Sequence, residues 1–364
     1  MKAVVKVGTS SITRDTGEID DDALVKLAAE LAGARAAGHD VVLVSSGAIA
    51  AGLPVLGFAD RPRDIGTLQA AAAVGQPRLM ERLGALLSVH DLVVGQVLLT
   101  PYDFGHRSQY LHARETLARL LELGVVPVVN ENDTVADDEI RFGDNDLIAA
   151  LVAHLVGAEV LVLLTDTSGV FTADPRLDAA ASLIEEIREV DAALHAVAGG
   201  AGTARGSGGM ASKLVAARIA AWSGVRAVIA GAQEPDVVRR ALADGEAVGT
   251  VVQPRAQRLS SRKLWIAFAL RASGRVVVDD GARVALVERG RSLLPAGVRE
   301  VEGVFQREQA VEVVDGTGKV FAKGLAGMDA ATLRRVAGRR SADLPEGVPH
   351  EAVHRDDLVL LPEA

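Results

Sequence analysis

Six short runs, AVVKV, DVVLVS, LVVGQVLL, GVVPVV, EVLVLL and VRAVIAG, are apolar at nearly every position. Between them lie longer stretches with helical spacing of apolar residues, among them DDALVKLAAELAGARAAG, DIGTLQAAAAVGQPRLMERLGALLS and GGMASKLVAARIAAWSG. A strand that is apolar on both faces needs cover on both faces, and helical crossovers make such strands mostly parallel. The pattern predicts an α/β fold, an αβα sandwich with a mostly parallel central sheet. Composition agrees: with 49% hydrophobic but only 3% aromatic residues, the core must be built from Val, Leu, Ile and Ala. In open α/β sheets ligands sit beyond the carboxyl ends of the strands, so the strand-to-helix turns are where chemistry is expected.

The alternation stops after QPRAQRLSSRKLW. Beyond it RVVVDD, REVEGVF, QAVEVVD, KVFAKG and DLVLL read as short strands, with turns at DDG, DGTG and RG and one helix at DAATLRRVAG. The expected organisation is a catalytic domain over residues 1–255, a linker over 256–273 and a small β-rich domain over 274–361. Residues 1–269 carry 25 bases and 33 acids, and residues 270–364 carry 14 and 15. The net charge of −9 argues against sequence-independent nucleic-acid binding by the whole chain. The absence of cysteine excludes disulfides and thiolate metal sites. The start MKAVVKVGTSS is too quickly polar for a signal peptide and no apolar run reaches membrane-spanning length, so a cytoplasmic protein is expected.

Four strand-end turns carry unusual polar groups. KVGTSS places Lys6 inside an apolar strand, two residues before Gly8. VSSGAIAAG holds Ser45, Ser46 and Gly47 between strand and helix. NENDTVADDEIRFGDND, residues 130–146, gathers seven carboxylates and three asparagines around Arg141, and LLTDTSGVFTADP offers Thr165 and Asp166. Glycine and hydroxyl residues at a helix start present free N–H groups that favour an anion. Each turn also has a structural reading: Ser46 or Asp146 as a helix cap, Lys6 snorkelling from an edge strand, Asp166 with Asp174 as turn formers. Their joint occurrence at successive strand ends favours an anion pocket.

The stretch GGAGTARGSGGMASK, residues 199–213, runs into an amphipathic helix with Lys213 in its first turns. Gly206, Gly208 and Ala211 fit G-x-G-x-x-[GA], but no apolar strand leads into them, and Ser212 rather than glycine precedes Lys213. Neither dinucleotide nor Walker chemistry follows. A loop that cradles nucleotide phosphates and adds a cation does.

HEAVH, residues 350–354, matches the zinc-protease signature in letters only. It precedes strand-like DLVLL near the chain end, and an extended backbone holds the two imidazoles too far apart for one ion. His350 and His354 are expected on the surface of the last strand. VSSGA lacks the hydrolase pattern G-x-S-x-G, and no histidine lies in the strand-end turns. Acids, two lysines and phosphate-binding glycines without a histidine base point to phosphoryl transfer, which needs charge neutralisation and alignment.

At these motifs the chain resembles the glutamate 5-kinases, a branch of the amino acid kinase family that carries a C-terminal PUA domain. The resemblance rests on VVKVGTSS, VSSGAIAAG, AAVGQ, VVPVVNENDTVADDEIRFGDND, LLTDTSGVFTADPR, GSGGMASK, GARVALVERGRSLLPAGVREVEGVF and AVHRDD, which run in family order through nearly the whole chain. It implies phosphorylation of L-glutamate by ATP with Mg²⁺, the metal being held mainly by ATP. Carried over position by position, it implies glutamate contacts at Ser46, Gly47, Asn130, Asp133 and Asn145. Nucleotide contacts fall at Lys6, Gly8, Thr165, Asp166, Ser207, Gly208, Gly209, Met210, Ala211, Ser212 and Lys213. Catalysis is assigned to Lys6, Lys213 and Asp146, the last ordering the lysines, while Asp137, Asp138 and Glu139 serve as solvent-facing spacers.

The resemblance further implies inhibition by proline, a homo-oligomer, hand-over of a labile product to γ-glutamyl phosphate reductase, and an RNA-binding role for the PUA-like domain. That last role is weakened by the near-neutral charge and by the lack of an aromatic near Met328, although RRVAGRR supplies a basic patch. Phe171 stands where relatives often have tyrosine. Kinases of the same fold acting on acetylglutamate, carbamate, aspartate or nucleotide monophosphates share the lysines and glycine turns, and PUA domains also occur in RNA-modifying proteins. The stretch 130–146 joined to a PUA-like domain favours glutamate over these alternatives.

Overall fold

Val-rich runs make strands because β-branched side chains pack well on a pleated surface covered from both sides. In a computed structural model of the chain, the structure describes residues 1–14, 18–135, 145–175, 177–178, 180–190, 194, 209–243, 245–246, 248–255 and 258–361. The chain divides into two units, Met1–Arg258 and Leu259–Ala364. In the first, the runs become β1 (Lys2–Val7), β2 (Asp40–Ser45), β3 (Val94–Leu99), β4 (Val126–Glu131), β5 (Val160–Thr165) and β7 (Arg226–Gly231). Short strands β6 (Glu186–Ile187) and β8 (Thr250–Val252) complete a sheet of order β3-β4-β2-β1-β5-β7-β8-β6. Every neighbouring pair is parallel except β7 with β8.

The register decides where chemistry can happen. Val7 pairs with Ser45 and Leu164, Leu99 pairs with Glu131, and Thr165 pairs with Gly231. The carboxyl ends of six strands therefore share one edge. Helices α1 (Asp21–Ala36), α2 (Ala48–Gly52), α3 (Ile65–Ser88), α4 (Pro101–Gly105), α5 (Arg107–Glu122), α6 (Asn145–Val156), α7 (Met210–Trp222) and α8 (Val237–Leu242) accompany the sheet. Helix α1 starts where Asp20 accepts the N–H groups of Asp22 and Ala23, and α3 where Asp64 accepts that of Thr67. One core cluster joins Val5, Leu43, Val128 and Val162 to Leu24, Leu31, Leu79 and Leu83. Among the described residues no helix is long and apolar enough to cross a membrane.

Helices α2 and α3 touch backbone to backbone. A Cβ built on Gly75 would lie 1.8 Å from the Ala48 carbonyl oxygen, and one on Gly52 would lie 1.9 Å from that of Ala71. Only glycine permits this approach. Gly75→Ala is expected to cost about 1–3 kcal/mol, as overpacking of a closed contact does, and a thermal melt should show a midpoint lowered by several degrees. An unchanged midpoint would mean that the two helices separate freely.

In the second unit α9 (Ser261–Leu264) runs into a π-helical turn, Trp265–Ala269. This segment lies within the stretch 256–273 read as a linker from the sequence; Leu264 and Ile266 are fully buried, and that burial folds it. Strands β9 (Gly274–Val278), β10 (Val298–Gly303), β11 (Ala310–Val314), β12 (Val320–Ala326) and β13 (Val353–Leu360) form a second sheet of order β10-β9-β11-β12-β13. The DAATLRRVAG stretch contains helix α11 (Ala330–Val336). A further helix, α10 (Asp280–Val287), stands where DDG reads as a turn. Asp279 caps it through Ala282 N, and Leu286 buries its inner face. His354 lies exposed on β13 and His350 exposed before it. No group of three or more metal-capable side chains occurs among the described residues.

Candidate active site

A lysine in an apolar strand is stable only where its ammonium meets an anion. Lys6, 4% exposed in β1, places Nζ 2.5 Å from Oδ1 of Asp146, which is 1% exposed in the first turn of α6. Lys213 of α7 brings its Nζ to 3.3 Å from the other oxygen, and the Ser212 hydroxyl donates to that same oxygen at 2.6 Å. Burial pushes the Asp146 carboxyl up. The ammonium groups of Lys6 and Lys213, with hydrogen bonds from Lys6 and Ser212, outweigh it and hold the group well below the usual carboxylate range. Two cations on one anion leave these three side chains with a net positive charge, at the strand edge where ligands bind.

Backbone donors surround that charge. Gly8 follows Lys6 closely enough that a Cβ on it would lie 3.6 Å from the ammonium nitrogen. Gly47 caps α2 with φ +97°, a left-handed conformation suited to glycine, directly after buried Ser46. Helix α7 begins at extended Gly209, so the amides of Met210, Ala211 and Ser212 open its N-terminal turn, the positive end of a thirteen-residue helix. Ser207 and Gly208, expected to continue this cradle, lie outside the described residues. At the ends of β5 and β7, Thr165, Asp166, Ser168, Gly231, Gln233 and Glu234 line a cavity of about 200 Å³. The Thr165 hydroxyl donates to Asp166 at 3.1 Å.

On the other side of the lysines, β4 ends in Asn130 and Glu131 and passes into a 3-10 turn, Asp133–Val135. Asp133 is 7% exposed, and its Oδ1 has no hydrogen-bond partner among the described residues. Burial pushes its carboxyl up to about 6, with Arg61 of the α2–α3 connection pulling the other way. A dehydrated carboxylate of this kind calls for a cation. Asn145, next to Asp146, accepts the Glu131 N–H at 3.2 Å. Asn130 places its amide inside the protein: Nδ2 donates to Gln76 and Oδ1 accepts from Glu131 N. Asp137, Asp138, Glu139 and Arg141 fall outside the described residues.

Residues 1–231 match the model of the amino acid kinase family, and residues 274–348 match that of the PUA domain. Two proteins named glutamate 5-kinase, from Burkholderia multivorans and Cupriavidus taiwanensis, are 47% and 48% identical to the chain. Each alignment covers 99% of this chain and 98% of the relative. The chain belongs to the glutamate 5-kinase family. A solved carbamate kinase from Giardia lamblia bound to AMP-PNP matches 70% of this chain and 98% of its own with a TM-score of 0.51; at 19% identity the likeness is one of fold.

Of the positions expected from glutamate 5-kinases, the structure brings Lys6, Asp146, Ser212 and Lys213 into contact. It sets Gly8, Ser46, Gly47, Asp133, Asn145 and Thr165 along the same strand edge. Three features escaped the sequence reading. Gln76 supports Asn130, Arg61 acts on Asp133, and the turn at 231–235 walls the cavity beside Thr165. AQEP directly after the strand VRAVIAG was the one available signal for the turn. Gln76 closes the motif AAVGQ but has no role assigned to it there, and nothing local marks Arg61, because the significance of both comes from what packs against them.

Proposed function

We propose that the chain transfers the γ-phosphoryl group of ATP to the γ-carboxylate of L-glutamate, giving γ-glutamyl phosphate and ADP, the first step of proline biosynthesis. The observation that carries this reading is the buried Lys6–Asp146–Lys213 arrangement beside Asp133 and Asn145. A carboxylate oxygen attacks phosphorus, a new O–P bond forms, and the bond from phosphorus to the β–γ bridging oxygen breaks with its electron pair leaving on ADP. No proton has to move, because a glutamate carboxyl with pKa about 4.3 is already ionised at neutral pH. The barrier lies in bringing two anions together. Lys6, Lys213 and the N–H groups of Gly8, Gly47 and the α7 turn offset that repulsion from fixed positions. Asp146 keeps both ammonium groups aimed.

Asp133 takes the ammonium of glutamate, and Ser46, Gly47 and Asn145 supply donors for its carboxylates. Lys6, Gly8, Thr165, Asp166 and residues 207–213 hold the nucleotide. Magnesium supplies further charge neutralisation as the ATP complex. Both oxygens of Asp146 are engaged by cations or a hydroxyl, so the phosphates rather than this carboxylate would hold the ion. Proline shares an α-carboxylate and a cationic nitrogen with glutamate and competes for the same groups. A homo-oligomer in the cytoplasm, hand-over to γ-glutamyl phosphate reductase and an RNA contact through the second unit belong to the same proposal.

Hydroxylamine trapping tests the acceptor. With ATP, the chain is expected to form a hydroxamate from L-glutamate but not from N-acetylglutamate or aspartate, and millimolar proline should slow the reaction until glutamate is raised. Hydroxamate from N-acetylglutamate and none from glutamate would overturn the assignment. A rate indifferent to proline would remove the shared pocket.

A further inference from the structure

Gln76 lies on α3, 8% exposed, and a buried amide needs partners at both ends. Its Nε2 donates to Gln96 Oε1 of β3 at 2.9 Å, and its Oε1 accepts from Asn130 Nδ2 of β4 at 2.8 Å. Asn130 Oδ1 accepts the Glu131 N–H at 2.9 Å, and that same N–H reaches Asn145 Oδ1 at 3.2 Å. One chain of polar groups thus runs from exposed Gln96, through α3, to the end of β4 and the first residue of α6. It ends where the acceptor is held: Asn145 is its last member, and Asp133 lies two residues beyond Glu131.

The neighbour in sequence acts on the opposite wall. Gly75 presses against Ala48, the first residue of α2, directly after Ser46 and Gly47. Helix α3 therefore locates both sides of the pocket, one through a glycine contact and one through an amide. Because Gln76 Oε1 accepts from the Asn130 amide nitrogen, it selects the amide orientation that leaves Asn130 Oδ1 facing Glu131 N.

We infer that Gln76 is a positioning residue of the acceptor pocket: it does not touch the amino acid but, through the Asn130–Glu131 wall, sets Asn145, which does. This inference rests on the reading of that pocket as the glutamate site. A core amide that only stabilised the fold would affect melting and leave substrate affinity alone.

The test is a double-mutant cycle on the full chain with Gln76→Met and Asn130→Ala, reading KM for glutamate, KM for ATP and the melting midpoint. Gln76→Met, close in length but unable to hydrogen-bond, is expected to raise KM for glutamate roughly tenfold, the effect of one lost buried hydrogen bond, and to leave KM for ATP within about twofold. The double variant should be no worse than the poorer single one, since both break the same wall. An unchanged KM for glutamate in Gln76→Met, or fully additive effects in the double variant, would overturn the inference. Should Gln76→Met not fold, Gln96→Ala breaks the chain from its exposed end. It is expected to raise KM for glutamate about two- to threefold, less than a buried break because water reaches the gap, and no rise at all would overturn the inference equally. A wild-type chain unable to phosphorylate glutamate would sink the function reading instead, whatever the variants do.

Discussion

Lys213→Ala is expected to lower kcat by roughly 10²–10³-fold, the loss seen when a fixed donor to developing charge is removed from a transfer site. Lys213 is 6% exposed and its Nζ lies 3.3 Å from Asp146, so its charge is felt with little screening by water. KM for glutamate should change far less, because the acceptor's ends are assigned to Asp133, Ser46 and Asn145. The folded chain should also lose stability, since Asp146 stays buried with one cation fewer. Lys213→Arg is expected to recover little: a planar guanidinium differs from a compact ammonium in shape and donor geometry. Steady-state ADP release from both variants checks this, and near-normal turnover in Lys213→Ala would remove the lysine from the mechanism.

Asp133→Asn should separate stability from function. The folded pKa of Asp133, about 6, lies above its ordinary 3.8, so the stability gained by keeping the group neutral is complete below pH 3.8 and is lost as pH rises through 6. A displacement of that size corresponds to roughly 3 kcal/mol at neutral pH. An asparagine of the same shape escapes the cost, so the variant is expected to melt at higher temperature than the wild type at pH 7 and to lose that advantage near pH 4. At the same time it cannot pair with an ammonium ion, and kcat/KM for glutamate is expected to fall by about 10²-fold or more. In the wild type, KM for glutamate should climb as pH drops below 6, because the free enzyme's carboxylate is being protonated. A pH-independent KM between 5 and 7, or a variant no more stable than the wild type, would contradict the role given to Asp133.

Much of the first unit was legible beforehand. Runs such as DVVLVS and VRAVIAG are apolar throughout, long enough for strands and too short for helices, and their parallel pairing follows from the helical connections. The polar residues that interrupt this pattern, Lys6 above all, stood out because burying them without an anion is unfavourable. Reading was poorer where one string supports two local structures. DDG caps α10 although it also suits a turn, and packing of Leu286 made the choice. The segment at 261–269 is polar and basic at its start, yet Leu264 and Ile266 anchor it in the second unit.

Sequence alone determined the order of strands and helices, the glycines at the strand-end turns and the residue types available there, because these depend on local propensity and on which faces must be covered. Tertiary structure decided the partners. Asp146 serves Lys6 and Lys213 because parallel strands bring distant turns to one edge, and a Coulomb interaction depends on that distance rather than on position in the chain. The amide of Asn130 faces Gln76, and among the described residues an oxygen of Asp133 is without a partner, because both side chains are buried beside the end of β4. Which polar group faces the ligand and which supports its neighbour is thus a property of packing, set by the whole hydrogen-bond network at once.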